Sequence, residues 1–408
     1  MRPEALLTLL GFGALIVGTK LYVERQLESQ PRQDNTIHPG DSKYIAQLEE
    51  ELDRLRNDNA ALRNLLSAEA TTEIDPALID FVEKDVGLSF RTPPPVFKRS
   101  EDMLHEAASQ LWLGTFNEVG LEMRSYAYDV LGLLPPNQNF IGQVIAAETT
   151  GAIGTYDYIS GELLLAPHFD PENTHHQAGL IRLLAISLLD QYYPLSNTLT
   201  DDQFYCHIGL QRGRASLLQD RFYAIQARRN GFIDPVDNTE AREIFAALSP
   251  LPKAITTFAN THAKAYLATF PSAEAQLSTL KSDRASTQAI MLKRPLSTPP
   301  FTPAEGETIQ LSTQLGALTL DAYLQQLELP DNTIRDLVEN LHSDTLSITT
   351  ATPNSATTSW SLKFTNADAA TNFYQHGQKI SSTLPRPPQI HQDGPLVVLS
   401  ISEALETN

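Results

Sequence analysis

The chain has 408 residues and a formal net charge of −19, from 30 Lys and Arg against 49 Asp and Glu. That balance disfavours nucleic acid, whose phosphates need clustered Lys and Arg, so nucleic acid is not an expected partner. Cys206 is the only cysteine, which rules out an intramolecular disulfide and a thiolate zinc site. Hydrophobic residues make up 41% of the chain, which suits a sizeable core and argues against disorder through most of the length.

Residues 1–25 read as a membrane anchor. The stretch 5–19 is uncharged and rich in Leu, Ala, Val and Ile; Lys20 interrupts it before Leu21, Tyr22 and Val23. About 19 helical residues at roughly 1.5 Å each nearly cross a hydrocarbon layer of roughly 30 Å. Lys20 can snorkel to the headgroups and Tyr22 suits the interface. No small-x-small cleavage site follows, so an uncleaved signal-anchor is expected. The short N-terminal tail favours a single pass with the main domain outside the cytoplasm, in a periplasm or at the cell surface. Residues 26–42, with Pro31, Pro39 and Gly40, read as a linker.

Residues 43–70 carry a two-in-seven apolar seam: Ile45, Leu48, Leu52, Leu55, Asn59, Leu62 and Leu66. So narrow a stripe seeks a partner helix, whereas a helix packed on its own domain has a wider one. Asn59 falls at an a position and selects a parallel, in-register dimer. Glu51 with Arg56, and Asp58 with Arg63, place attracting charges across that dimer. The expected partners are therefore a second copy of the chain through the coiled coil and a membrane through the N-terminal helix.

Residues 71–294 read as a mainly helical domain. Helical periodicity covers 100–113, 116–131, 175–193, 209–229, 241–247 and 254–268. A short strand pair is expected at 141–147 and 163–166, around the turn residues 156–161. Residues 295–408 open with a proline-rich linker, 295–305. They continue with helices at 318–327, 332–341 and 367–377 and strands at 345–350, 358–364 and 396–401, a small α+β unit. The fold class is mainly α with small β elements (α+β).

Within this frame several motifs recur in order. They are Leu131-Gly132-Leu133-Leu134-Pro135, Gly154-Thr155-Tyr156-Asp157, Asp190-Gln191 at a helix end, Gly213 and Ala215 in a second helix, and Ser286-Thr287-Gln288-Ala289-Ile290. Asp344-Thr345-Leu346 and Asn366-Ala367-Asp368-Ala369 follow. Together they resemble a group of bacterial gluzincin-type zinc metallopeptidases. In these a G-x-Y-D turn precedes an H-E-L-x-H-A-L-x-D-Q helix and an E-G-x-A helix supplies the third ligand. The resemblance implies a zincin-like helical domain over about residues 75 to 380.

The departures from that pattern fall on the chemistry. Alignment on Asp190-Gln191 puts Arg182 at the first His, Leu183 at the general-base Glu and Ile186 at the second His; alignment on Gly213 puts Arg212 at the ligand Glu. Zinc needs two imidazoles at i and i+4, a third protein ligand and a Glu beside its water. Leu and Ile cannot coordinate, and a guanidinium has no lone pair to give. The resemblance thus implies a pseudo-peptidase with no catalytic residue, metal or other cofactor.

Arg182 and Arg212 are expected close together on facing helices, with Asp157, Asp220, Glu162 or an anionic ligand supplying counter-charge. A relocated metal site has His168, His175 and His176 as its candidates, although adjacent histidines point to different helix faces. His105 and the neighbours Cys206 and His207 carry no catalytic spacing. Three readings follow. The first is an inactive metallopeptidase-like scaffold binding a protein or peptide, with residues 162–166 as an edge strand open to a partner strand. The second is an active zinc hydrolase with a relocated site. The third is a purely structural envelope or assembly protein.

Overall fold

The computed structural model describes residues 72–404, apart from 136–137, 197–198, 232–237, 282–285, 298–299, 305–307, 353–354 and 382–386. The chain divides into a unit of residues 1–68 and a unit of residues 69–408. The anchor, linker and coiled-coil seam expected before residue 71 lie outside the described residues. No helix among the described residues is long and apolar enough to cross a membrane.

The second unit mixes helix and strand, as the α+β reading expects. Helix α1 (Pro76–Val86) starts where Asp75 accepts from the Ala77 amide, with Pro76 in the first turn, and stops at the left-handed Gly87. After strand β1 (Val96–Lys98) comes the long α2 (Glu101–Val130), broken at Asn117, whose φ is 52°. The Asn117 side chain accepts from the Gly120 amide and so caps the second segment. The separate helical runs 100–113 and 116–131 correspond to these two segments.

Helix α3 (Phe140–Thr149) overturns the strand expected at 141–147. Its Ile and Val content reads as β, but the buried side chains are Phe140, Val144, Ile145 and Thr149. That is helical spacing, and Asn139 caps the helix by accepting from the Gly142 amide. The hairpin is instead β2 (Gly154–Asp157) and β3 (Glu162–Leu165), closed by a turn in which Asp157 accepts from the Ile159 amide at 2.9 Å.

The sheet order is β1-β3-β2, with β1 parallel and β2 antiparallel to β3. Strand β3 is therefore central and has no free edge, which corrects the expectation that 162–166 is open to a partner strand. The sheet's two edge strands are β1 and β2.

Helices α4 (Thr174–Tyr192) and α5 (Asp201–Asn230) pack together through the core. Asn173 caps α4, and Thr200 with Gln203 forms a capping box on α5. Helices α6 (Thr239–Ala247) and α7 (Pro250–Phe258) follow. A π-turn, Ala259–Ala263, then leads into α8 (Lys264–Leu267), so the run expected at 254–268 is helical with a wide turn inside it. Helices α9 (Ala273–Leu280) and α10 (Thr287–Met291) complete this half.

The C-terminal half is an antiparallel sheet with helices packed on it. Its order is β4 (Ile309–Thr313), β5 (Leu341–Thr352), β6 (Ser355–Phe364), β8 (Leu396–Ala404), β7 (Gln389–Asp393). The helices are α11 (Gly316–Gln326), α12 (Asp331–Asn340) and α13 (Ala367–Ser381). One continuous apolar core runs from Val82 through both halves to Leu399.

A buried polar knot joins the halves at the start of α5. Asp201 accepts from Arg124 Nη2 at 2.7 Å, from the Tyr128 hydroxyl at 2.9 Å and from Thr313 Oγ1 at 2.8 Å. Asp202 Oδ1 accepts from the backbone and hydroxyl of Thr287, while its Oδ2 has no partner among the described residues. Asp344 accepts from the Leu315 and Gly316 amides and from the Trp360 indole.

Burial pushes the Asp202 carboxyl up to about 7 and the Asp344 carboxyl up to about 6. Both hold protons in the folded state that the unfolded chain releases near pH 4. Their stabilisation is complete below that pH and is lost as pH rises to about 7. For Asp202 the loss is on the order of 4 kcal/mol. Chemical denaturation is expected to give lower stability at pH 8 than at pH 5, and Asp202→Asn is expected to flatten that dependence.

Candidate functional site

The four positions at which the resemblance places a zinc site meet around one cleft. Arg182 and Ile186 stand one turn apart on α4, with Leu183 beside them, and Arg212 reaches in from α5. Glu148 of α3, with Tyr156 of β2 and Tyr158 of the hairpin turn, lines it as well. Asn260 of the π-turn stands at the same cleft and accepts from Ser216. The cleft has a volume of about 180 Å³.

Its electrostatics turn on one carboxylate. Glu148 takes both arms of the Arg212 guanidinium, Nη1 to Oε1 and Nη2 to Oε2, the latter at 3.1 Å. The side chains are 17% and 15% exposed, so this is a largely desolvated bidentate pair. Glu148 therefore replaces Asp157, Asp220 and Glu162 as the counter-charge. Asp157 is used in its own turn and Asp220 pairs with Lys264. Burial works against the Arg212 charge, but Glu148 and Tyr158 outweigh it and raise its pKa.

Arg182 has no such partner. Among the described residues it makes no hydrogen bond or ion pair, and its Nε is buried. Burial lowers its pKa, Arg212 lowers it further, and Glu148 opposes both. The Tyr158 hydroxyl, which Arg212 faces, and the Trp112 indole Nε1, on two more residues of the cleft wall, are also buried and have no acceptor among the described residues. Burial pushes the Tyr158 hydroxyl up to about 12, against the pull of Arg212, so it remains a neutral donor at neutral pH.

The remaining motif residues hold the scaffold. The Tyr156 hydroxyl donates to Asp190 Oδ2 at 2.9 Å and ties β2 to the end of α4. Burial raises the Asp190 carboxyl to about 6 although the Tyr156 bond opposes it. Gln191 clamps the loop before β1, accepting from the Arg91 amide and donating to the Thr92 carbonyl. A Cβ on Gly154 would stand 2.3 Å from the Leu164 carbonyl, and one on Gly213 would stand 2.9 Å from the Lys264 amide. Both glycines mark backbone approaches that a side chain would block. Ala215 is buried beside Gly213.

The three histidines of the relocated-site reading do not converge. His176 accepts from the Asp170 amide and stacks on Phe169, while His175 faces the Tyr223 hydroxyl at 3.0 Å. His168 meets His176 ring to ring at 5.8 Å. Among the described residues no group of three or more His, Cys, Asp or Glu side chains could hold a metal ion. Cys206 is buried with its thiol pKa pushed well up, while His207, pushed down to about 4 by burial, meets Gln211.

Sequence reasoning missed Glu148, Trp112 and Tyr158. The signal for Glu148 was present: read as a helix capped by Asn139, the segment places Glu148 one turn after Val144, a core position. Comparison of the chain with protein-family models, curated proteins and solved structures finds no match.

Glu148→Ala leaves two largely buried guanidiniums sharing a cleft without a bonded carboxylate, and is expected to cost about 3 kcal/mol of unfolding free energy. Adding Arg212→Leu should recover at least half of that, as a denaturation double-mutant cycle would show. Gly213→Ala is expected to cost about 1–3 kcal/mol by forcing α5 away from the π-turn.

Proposed function

We propose that this chain is a membrane-anchored, dimeric, catalytically inactive metallopeptidase-like protein whose vacated zinc cleft binds a protein or peptide. One observation carries the reading. The residues that the gluzincin resemblance assigns to two His, a Glu base and a Glu ligand are Arg182, Ile186, Leu183 and Arg212, and they line a single cleft. Three of them share one turn of α4 and the fourth stands on the helix packed against it, the arrangement that two ligands at i and i+4 and a third from a neighbouring helix require.

The side chains there cannot perform zinc chemistry. Two guanidiniums repel a dication, and the one carboxylate is bonded to Arg212. What they offer is a walled, positively charged recess beside β2, one of the two edge strands of the small sheet. An edge strand beside a recess suits an extended peptide, whose backbone pairs with the strand while a side chain or chain end enters the recess. The anchor and the Asn59-centred coiled coil would present two such recesses at a membrane, where pairing gains from the raised local concentration.

The test is elemental analysis with a peptidase assay on the full chain, purified in detergent without chelator. The expected result is substoichiometric zinc, no peptide hydrolysis, and a melting temperature unmoved by EDTA or added Zn²⁺. Stoichiometric zinc that survives dialysis would contradict the proposal.

A further inference from the structure

The cleft is built to accept one more negative charge. Glu148 spends both oxygens on Arg212, so the pair is internally neutral and Arg182 is left with a whole positive charge. Three donors on the wall lack an acceptor among the described residues: Arg182 Nε, the Tyr158 hydroxyl and Trp112 Nε1. Buried donors of this kind are nearly always satisfied, because leaving one without a partner costs about 1–3 kcal/mol and more for a charged group. Their meeting around one recess points to an acceptor that enters from outside.

The character of that acceptor is also constrained. One unpaired guanidinium matches a monoanion; a phosphate dianion would bring excess charge next to Glu148 and Asp190. The rest of the wall includes Leu183, Ile186, Ile208 and Phe258, which favour an apolar substituent. A volume of about 180 Å³ is below the roughly 300 Å³ at which pockets begin to hold drug-sized ligands. That size suits a carboxylate with a short side chain better than a large ligand.

We propose that the cleft is a carboxylate receptor, in which Arg182 with Tyr158 and Trp112 holds a carboxylate bearing a small apolar side chain. Arg212 is a positioning residue, fixed by Glu148 so that Arg182 is the cation left to the ligand. The inference rests on the reading of the cleft as metal-free. The same chemistry is found at the C-terminus of a peptide and in a free small acid.

The experiment is calorimetric titration of the full chain in detergent with four probes. They are N-acetyl-leucine, its amide, an acetylated pentapeptide ending in leucine and the amide of that peptide. At least one acid is expected to bind about tenfold or more tightly than its amide, because the amide forfeits the charge-assisted bonds to Arg182. Tighter binding of the peptide acid assigns the site to chain ends, and tighter binding of N-acetyl-leucine assigns it to small acids.

Arg182→Gln is expected to remove that preference, and Tyr158→Phe to weaken binding about threefold to tenfold. Arg182→Leu is expected to abolish binding while raising the melting temperature of the ligand-free protein, because it removes a partly buried cation next to Arg212. A merely structural arginine would lower it. Equal affinity for acid and amide, binding unaffected in Arg182→Gln, or no binding by any acid would overturn the inference. If the protein is zinc-free in that last case, the scaffold reading survives; stoichiometric zinc would overturn both.

Discussion

Among the described residues Glu148 is the only carboxylate on the cleft wall, and it can bond one guanidinium in bidentate fashion but not two. That constraint organises the site. Two cations on adjacent helices need at least one anion between them if α4 and α5 are to pack without a large Coulombic penalty. Helix α3 supplies it. The pairing with Arg212 is what lets the seam close, and the remaining imbalance is concentrated on Arg182. The cleft is thus polar by construction, although most of α4 is apolar and buried on nearly every side.

The motif residues fall into two classes with different physical duties. Tyr156, Asp190 and Gln191 hydrogen-bond across elements, Asp157 closes its own turn and Gly213 lets backbones approach, and the fold needs them whether or not a metal is present. The same holds further along the chain. Thr287 bonds Asp202, Gln288 donates to the Val338 and Leu341 carbonyls, and Asp344 caps the turn into α11. Arg182, Leu183, Ile186 and Arg212 stand where the resemblance assigns chemistry and hold no such bond across the scaffold beyond the Glu148 pair. On the proposed reading the first class would be what the scaffold needs and the second what the reaction no longer uses, and fold alone does not fix what the cleft does.

Much of the architecture was legible because it is written in local periodicity. The helices around 175–193 and 209–229 announce themselves through apolar spacing, and α5 begins earlier than that spacing implies because its first turn is a buried acidic knot. The misread segment at 141–147 failed because β-branched residues suit both a strand and a buried helix, and tertiary packing decided for the helix. Strands β1, β4 and β7 have three to five residues each and take their register from neighbours rather than from their own alternation. The nearness of Arg182 and Arg212 was legible in helix spacing, but the charge balance between them was not. That balance depends on Glu148, which lies 64 residues from Arg212 in the chain, and no spacing rule links the two.

The central claim is that Arg182, Leu183, Ile186 and Arg212 occupy the geometry of a zinc site whose ligands have been replaced. The most direct measurement is the zinc stoichiometry of the quadruple variant Arg182→His, Leu183→Glu, Ile186→His, Arg212→Glu, with circular dichroism to establish that it folds. The account predicts one tightly held zinc per chain, lost to EDTA with a fall in melting temperature. A folded variant that takes up no zinc would contradict the placement of these residues and, with it, the reading of the cleft.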